Sequence, residues 1–256
     1  MKILIVGDVV GENGCEFLAD KLPLIKREEK TDFCIVNGEN SAKGNGISKS
    51  SAEFLLSNGA DFITTGNHVF KKSDIHSFLD ENKRIIRPFN MHASNPGYGV
   101  GKVDFGRYKI GIINLLGQAF MSGSDNPFDA ADRALELIAD CKLKIVDFHA
   151  EATGEKRALG FYLDGRVSAF FGTHTHVQTA DASILPKGTG YITDVGMCGP
   201  KDSVLGIESE IIIKALKTGM PQRFDVSPNP CTLNGCIFEI DVNTFMTKSV
   251  RTVNVG

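Results

Sequence analysis

The chain of 256 residues carries 28 Lys and Arg against 31 Asp and Glu, a formal net charge of −3. Hydrophobic residues make up 42% and charged residues 23%, an ordinary globular balance that excludes an extensively disordered chain. The charge also excludes a global basic surface for gripping a polyanion or an anionic membrane, though not a locally positive site.

The predicted elements alternate along the chain. Lys2–Val6 is a predicted strand, and Glu12–Lys26 a helix with Pro23 near its end. Phe33–Val36 is the next strand, and Ser50-Ser51-Ala52-Glu53 has the pattern of a capping box opening a helix that stops near Gly59. A strand over Asp61–Thr65, a helix over Ser73–Asn82 and a short strand over Arg84–Arg87 lead into an Asn, Pro and Gly-rich loop from Asn90 to Gly101. Val103–Phe105 and Lys109–Leu115 flank Gly106-Arg107-Tyr108 as a hairpin. Then come a helix over Asp129–Ala139, a strand over Lys144–Phe148, a helix over Gly154–Leu163 and a strand over Ser168–Phe171. Strand-like pieces at Ala182–Leu185 and Gly190–Thr193, a helix over Glu208–Lys217 and paired strands from Cys231 to Val255 complete the pattern. Such alternation argues for an α/β fold, with a mixed or doubled sheet because the second half is richer in hairpins. No repeat or linker divides the chain, so 1–256 is expected to form one domain.

The apolar start, Ile3–Val6, is cut by Asp8 before it reaches the length of a signal-peptide core, and no apolar run is long enough to span a membrane. The six cysteines contain no Cys-x-x-Cys pair and are too sparse for a disulfide framework. A cytoplasmic protein with reduced thiols is the expectation. Cys231 and Cys236 could ligate a soft metal, but ordinary buried thiols are the simpler reading.

Five segments share one grammar: an apolar run, then groups able to ligate a metal. They end in Gly7-Asp8, Asn37-Gly38-Glu39-Asn40, Thr65-Gly66-Asn67-His68, Asp147-Phe148-His149 and Gly172-Thr173-His174-Thr175-His176. Ligands of open α/β sheets bind outside the carboxyl ends of the strands, so these ends would gather Asp8, Glu39, Asn40, Asn67, His68, His149, His174 and His176. Taken singly, Asp8 fits a helix cap, Glu39, Asn40 and Asn67 fit turns, and His149 fits a structural histidine. Five such coincidences at strand ends are harder to accept than one site. Carboxylates, amides and imidazoles without a thiolate suit iron, manganese, zinc or cobalt. The donors outnumber what one tetrahedral zinc needs, and two ions about 3.5–4 Å apart would use them naturally if one carboxylate bridged.

With these motifs in view, the chain resembles the calcineurin-like metallophosphoesterases, and more closely their bacterial YmdB-type branch, essentially end to end. It departs from the general superfamily pattern twice. The usual Asp-x-His is here Asp8-Val9-Val10, and the usual bridging Asp is Glu39 followed by Asn40. The resemblance implies a mixed β-sheet sandwich in α-β-β-α layers. It implies a first metal ion on Asp8, Glu39, Asn40 and His176 and a second on Glu39, Asn67, His149 and His174, iron or manganese before zinc or cobalt. His68 would stay off the ions as the catalytic histidine. The implied activity is hydrolysis of small phosphodiesters, 2′,3′-cyclic nucleotides above all. Two other readings stay open: a nucleotide-sensing regulator with incidental turnover, and an RNase-type nuclease. Self-association is also open.

Other candidates carry less. Gly97-Tyr98-Gly99-Val100-Gly101 follows Pro96 in a turn rather than a strand, and Gly7–Gly14 lacks the Lys-Ser/Thr of a P-loop. His76 reads as structural and His92 as an exposed loop residue, and no Ser/His/Asp triad can be built without the metal-site residues.

Overall fold

The computed structural model describes residues 1–256. The first half runs β1 (Lys2–Val6), β2 (Asp8–Val9), α1 (Gly11–Glu29), β3 (Phe33–Asn37), α2 (Lys49–Ser57), β4 (Phe62–Thr64), α3 (Ile75–Glu81), β5 (Val100–Asp104) and β6 (Lys109–Leu116). The second runs α4 (Pro127–Leu137), β7 (Leu143–His149), α5 (Thr153–Tyr162), β8 (Ala169–Thr173), β9 (Ser183–Ile184), β10 (Gly190–Ile192), β11 (Met197–Pro200), α6 (Ser209–Thr218), β12 (Cys231–Ile240) and β13 (Thr247–Val255).

These strands form two mixed sheets. One has the order β2-β11-β12-β1-β3-β4 with β13 beside β12, and the other β5-β6-β7-β8-β10-β9. Strand parity explains the layering, because alternate side chains point to opposite faces. Ile3 and Ile5 of β1, Phe33 and Ile35 of β3, Ile110 and Ile112 of β6, and Ala169 and Phe171 of β8 meet in a core between the sheets. Their neighbours Leu4, Val6, Cys34 and Val36 face the other way, against Leu18 and Leu22 of α1, Leu55 of α2 and Leu79 of α3. On the far side Val146, Phe148 and Phe170 pack against α4 and α5 through Ala130, Ala134 and Leu159. The result is the expected α-β-β-α sandwich. No helix is long and apolar enough to cross a membrane.

Several local expectations are corrected. α1 passes through Pro23 and ends at a left-handed Lys30, because Leu22 and Ile25 on either side of the proline are buried and hold the helix line. The capping box of α2 is built by Ser48 and Ser51, two hydroxyls satisfying each other's backbone N–H groups, rather than by Ser50 and Glu53. Arg84–Arg87 is not a strand. Only Ile85 bridges Ile63, since the neighbouring chain leaves β4 at Thr64 to enter the site and offers no longer partner. β2 and β11, which pair with each other in parallel, lie outside the predicted elements; two residues and a Gly-Pro ending carry little strand pattern.

Candidate metal centre

The same parity that builds the central core also builds the floor of the site. The inward positions of β3, β4, β6, β7 and β8 turn polar at the carboxyl ends, as Asn37, Thr64, Asn114, Asp147 with His149, and Thr173, all fully buried. Asp147 accepts from Asn37 Nδ2 at 3.0 Å, from Thr64 Oγ1, and from Thr173 Oγ1 at 2.8 Å, so one carboxylate ties the two sheets together. Burial outweighs these donors and pushes its carboxyl up to about 6. The five strand ends therefore belong to two sheets, three from one and two from the other, and the site sits at the end of the sandwich where they meet.

This network settles which imidazole nitrogen of His149 faces the site. Thr173 spends its hydroxyl proton on Asp147, so its oxygen accepts from His149 Nδ1 at 2.9 Å, and Nε2 is the nitrogen turned to the site. His174 is arranged in the same sense. Its Nε2 lies 3.1 Å from Glu151, and its Nδ1 turns to within 3.0 Å of His149 Nε2. Glu39 Oε1 lies 3.1 Å and Asn67 Oδ1 3.0 Å from the same His149 nitrogen.

Four donor atoms thus crowd together around His149 Nε2, an arrangement that a cation, either a proton on that nitrogen or a metal ion in its place, resolves. Ligand atoms of Glu39, His149 and His174 lie within 4.8 Å of one another. Beside them Asp8 Oδ1 is buried without a hydrogen-bond partner, 3.7 Å from His176 Nε2, while Asp8 Oδ2 accepts from the His174 backbone N–H at 3.1 Å. The donor set fits one or more divalent ions. Titration follows the same logic. Burial opposes charge on His149, yet Glu39 and Asp8 outweigh it and raise the imidazole to about 9. Burial and the neighbouring His149 depress His174 to about 3. Burial raises the Asp8 carboxyl, whereas for Glu39 the His149 and His68 imidazoles overcome it and hold the group well below the usual range. A proton on His149 supplies the positive charge that a metal would otherwise bring.

All eight expected residues meet here. Asn40 Nδ2 lies 3.3 Å from both Glu39 Oε1 and His176 Nε2, and Asn40 Oδ1 is 3.2 Å from His68 Nδ1. His68 also reaches Glu39 Oε1 at 3.3 Å and donates its backbone N–H to Glu39 Oε2. Gly66 is required by proximity, since a Cβ there would lie 2.1 Å from Glu39 Oε2 and 2.4 Å from His149 Nε2.

Sequence reading misses the supports. Asp147 is visible in principle, two residues before His149 and therefore on the same strand face. Lys156 and Asp194 are not, because nothing local marks them. This fully buried pair, 2.7 Å apart, holds the turn between the last two histidines: Asp194 also accepts from the Thr175 backbone N–H and hydroxyl. His174 and His176 both have positive φ, 98° and 61°, a conformation a β-carbon disfavours. His76 packs edge-on against Phe70 and His92 bonds to Ser94, both away from the centre, as expected.

The centre opens into a cleft of about 350 Å³ lined on one side by Glu39, Asn40, His68, His174 and His176. Comparison with known proteins agrees with this fold. A family model described as YmdB-like protein matches residues 4–253. A curated relative, the 2′,3′-cyclic-nucleotide 2′-phosphodiesterase of Bacillus subtilis (strain 168), is 47% identical over 260 residues, covering 100% of this chain and 97% of its own. A crystal structure described as a novel phosphatase from Mycoplasma pneumoniae superposes with a TM-score of 0.94 at 41% identity, covering 100% of this chain and 93% of that one. A crystal structure of a hypothetical protein from Thermus thermophilus superposes with a TM-score of 0.93 at 36% identity, covering 100% of both chains. A match along nearly the whole chain, with every expected site residue gathered at one end of the sandwich, means that this chain belongs to the YmdB-like family.

Proposed function

We propose that the protein is a metal-dependent phosphodiesterase that hydrolyses small phosphodiesters, with 2′,3′-cyclic nucleotides as the substrate class. The gathering of Glu39 Oε1, Asn67 Oδ1 and His174 Nδ1 within 3.1 Å of His149 Nε2 carries this reading. The full-length likeness to a cyclic-nucleotide phosphodiesterase supports the substrate. Asp8, Glu39, Asn40 and His176 would hold one ion and Glu39, Asn67, His149 and His174 a second, with Glu39 shared. Divalent ions there would polarise the phosphoryl group and lower the pKa of water near it. The ions also supply the positive charge that a net −3 chain lacks.

His68 lines the cleft with 29% of its side chain exposed, and its Nδ1 is tied to Asn40 and Glu39. Its Nε2 is then the atom to deliver a proton to the departing ribose oxygen, a contribution of about 10²–10⁴-fold for general acid catalysis. The reading treats 1–256 as one domain, since the central core draws on both sheets.

The test is turnover of 2′,3′-cyclic AMP and of an RNA oligonucleotide by protein of measured metal content, with and without chelator. Cyclic AMP turnover lost on chelation and restored by added metal is expected. His68→Ala should keep its metal and lose most turnover, whereas Asp8→Ala and His174→Ala should lose metal as well. A chelator-insensitive activity, or a fully active His68→Ala, would refute the assignment.

A further inference from the structure

Part of the cleft lining has a different chemistry from the histidines. Val10, Leu205, Ile207, Phe224 and Val226 make up this wall, and Phe224 is 51% and Leu205 46% exposed. Scattered exposed apolar side chains need no explanation, but these two share one cleft with the metal centre. The wall is also rigidly built onto that centre. Leu205 has φ 55° and Gly206 φ 95°, a tight turn closed by reciprocal Val204–Ile207 backbone bonds and by Ser203 Oγ accepting the Gly206 N–H at 2.9 Å. Ile207 bridges Val226 in antiparallel fashion, and Val10 packs beneath Gly206. The Leu205 carbonyl accepts from His176 Nδ1 at 3.0 Å, so the turn carrying the wall also orients an imidazole of the centre.

We infer that this apolar wall is the nucleobase platform of the active site, with Phe224 as its stacking surface. The inference rests on the phosphodiesterase reading and adds a specificity residue to it. An ester whose phosphate lies at the metal centre has its remaining bulk against the wall, and the group that suits a flat apolar surface is an aromatic base. None of the five side chains carries a donor or acceptor for a base edge. The platform therefore accepts any base and ranks bases by stacking area, purines above pyrimidines.

The test compares wild type, Phe224→Ala and Phe224→Tyr, each at verified metal content, on 2′,3′-cyclic AMP and on the base-free methyl ribofuranoside 2,3-cyclic phosphate. Base stacking on an aromatic side chain is worth about 1–3 kcal/mol, so Phe224→Ala should raise KM for cyclic AMP by roughly 5- to 150-fold. KM for the base-free ester should stay unchanged, and Phe224→Tyr should behave as wild type. Saturation-transfer NMR with adenosine and metal-free protein reads the platform without turnover. Signal on the base protons is expected for wild type and Phe224→Tyr and should be lost in Phe224→Ala. An equal KM increase on both esters, or an unchanged KM for cyclic AMP, would overturn the platform while leaving the phosphodiesterase reading intact. Failure of the wild type to turn over either ester would overturn both.

Discussion

Lys156→Met is the perturbation that most directly tests how the fold holds its histidines. Lys156 and Asp194 are both fully buried, with Nζ and Oδ2 2.7 Å apart. Removing the ammonium leaves a carboxylate in the interior with three neutral donors, the Thr175 N–H at 3.1 Å, its hydroxyl at 2.7 Å and the Gly196 N–H at 2.8 Å. Breaking a buried pair typically costs about 3–5 kcal/mol, and the remaining donors place this case near 3 kcal/mol. For a chain of this size that is a fall of about 6–12 °C in the melting temperature, at about 2–4 °C per kcal/mol. The loss extends to function. Asp194 fixes Thr175, and the flanking left-handed conformations of His174 and His176 cost of order 1–3 kcal/mol each unless the surroundings enforce them. Thermal melts of metal-free and metal-saturated protein, with metal titration by calorimetry, read both effects. The single variant should melt lower and bind metal more weakly, and Lys156→Met combined with Asp194→Asn should recover most of the melting temperature by removing the orphaned charge. A single variant melting within about 2 °C of wild type, or a double variant no better than the single, would refute the anchoring role.

Gly66→Ala places a methyl group 2.1 Å from Glu39 Oε2, so metal content measured by elemental analysis should fall sharply while the far end of the sandwich stays folded by circular dichroism. The thiols give a pH prediction. Burial pushes Cys15, Cys34 and Cys236 up to about 12 and Cys198 well above its ordinary value, so the native protein should resist iodoacetamide at pH 8 while the urea-unfolded chain labels rapidly. These raised values also carry a sign for stability. Above about pH 8.5 the unfolded chain sheds thiol protons that the folded chain keeps, so these thiols should lower the urea midpoint between pH 8 and 10.

Most of the centre is legible in the sequence because its residues are local and follow apolar strands. A polar group after Ile3–Val6 or Ala169–Phe171 announces itself by breaking the apolar run, and all eight such residues come together. The supports are less legible for a physical reason: they act at a distance in sequence. Asp194 is 38 residues from Lys156 and 19 from Thr175, and its role exists only once β8 and β10 are side by side. The short strands β2 and β11 escape for a related reason. Their strand character comes from pairing with each other across the chain, between Asp8 and Met197, rather than from an apolar alternation of their own.

The departure at Val10 draws these observations together. Where the wider superfamily pattern has a histidine, Val10 is nearly fully buried and its side chain meets the turn at Gly206, where an added Cβ would lie 2.6 Å from Val10 Cγ1. An imidazole at position 10 would be larger and would push on the turn whose Leu205 carbonyl orients His176. Asn40 lies beside the His176 imidazole, its Nδ2 3.3 Å from His176 Nε2. Valine at this position thus has two consequences. It leaves room for a turn that steadies His176, and it extends an apolar surface from Val10 through Leu205 and Ile207 to Phe224. The valine, the turn that orients His176 and the apolar lining of the cleft are accordingly parts of one packed unit at the mouth of the site.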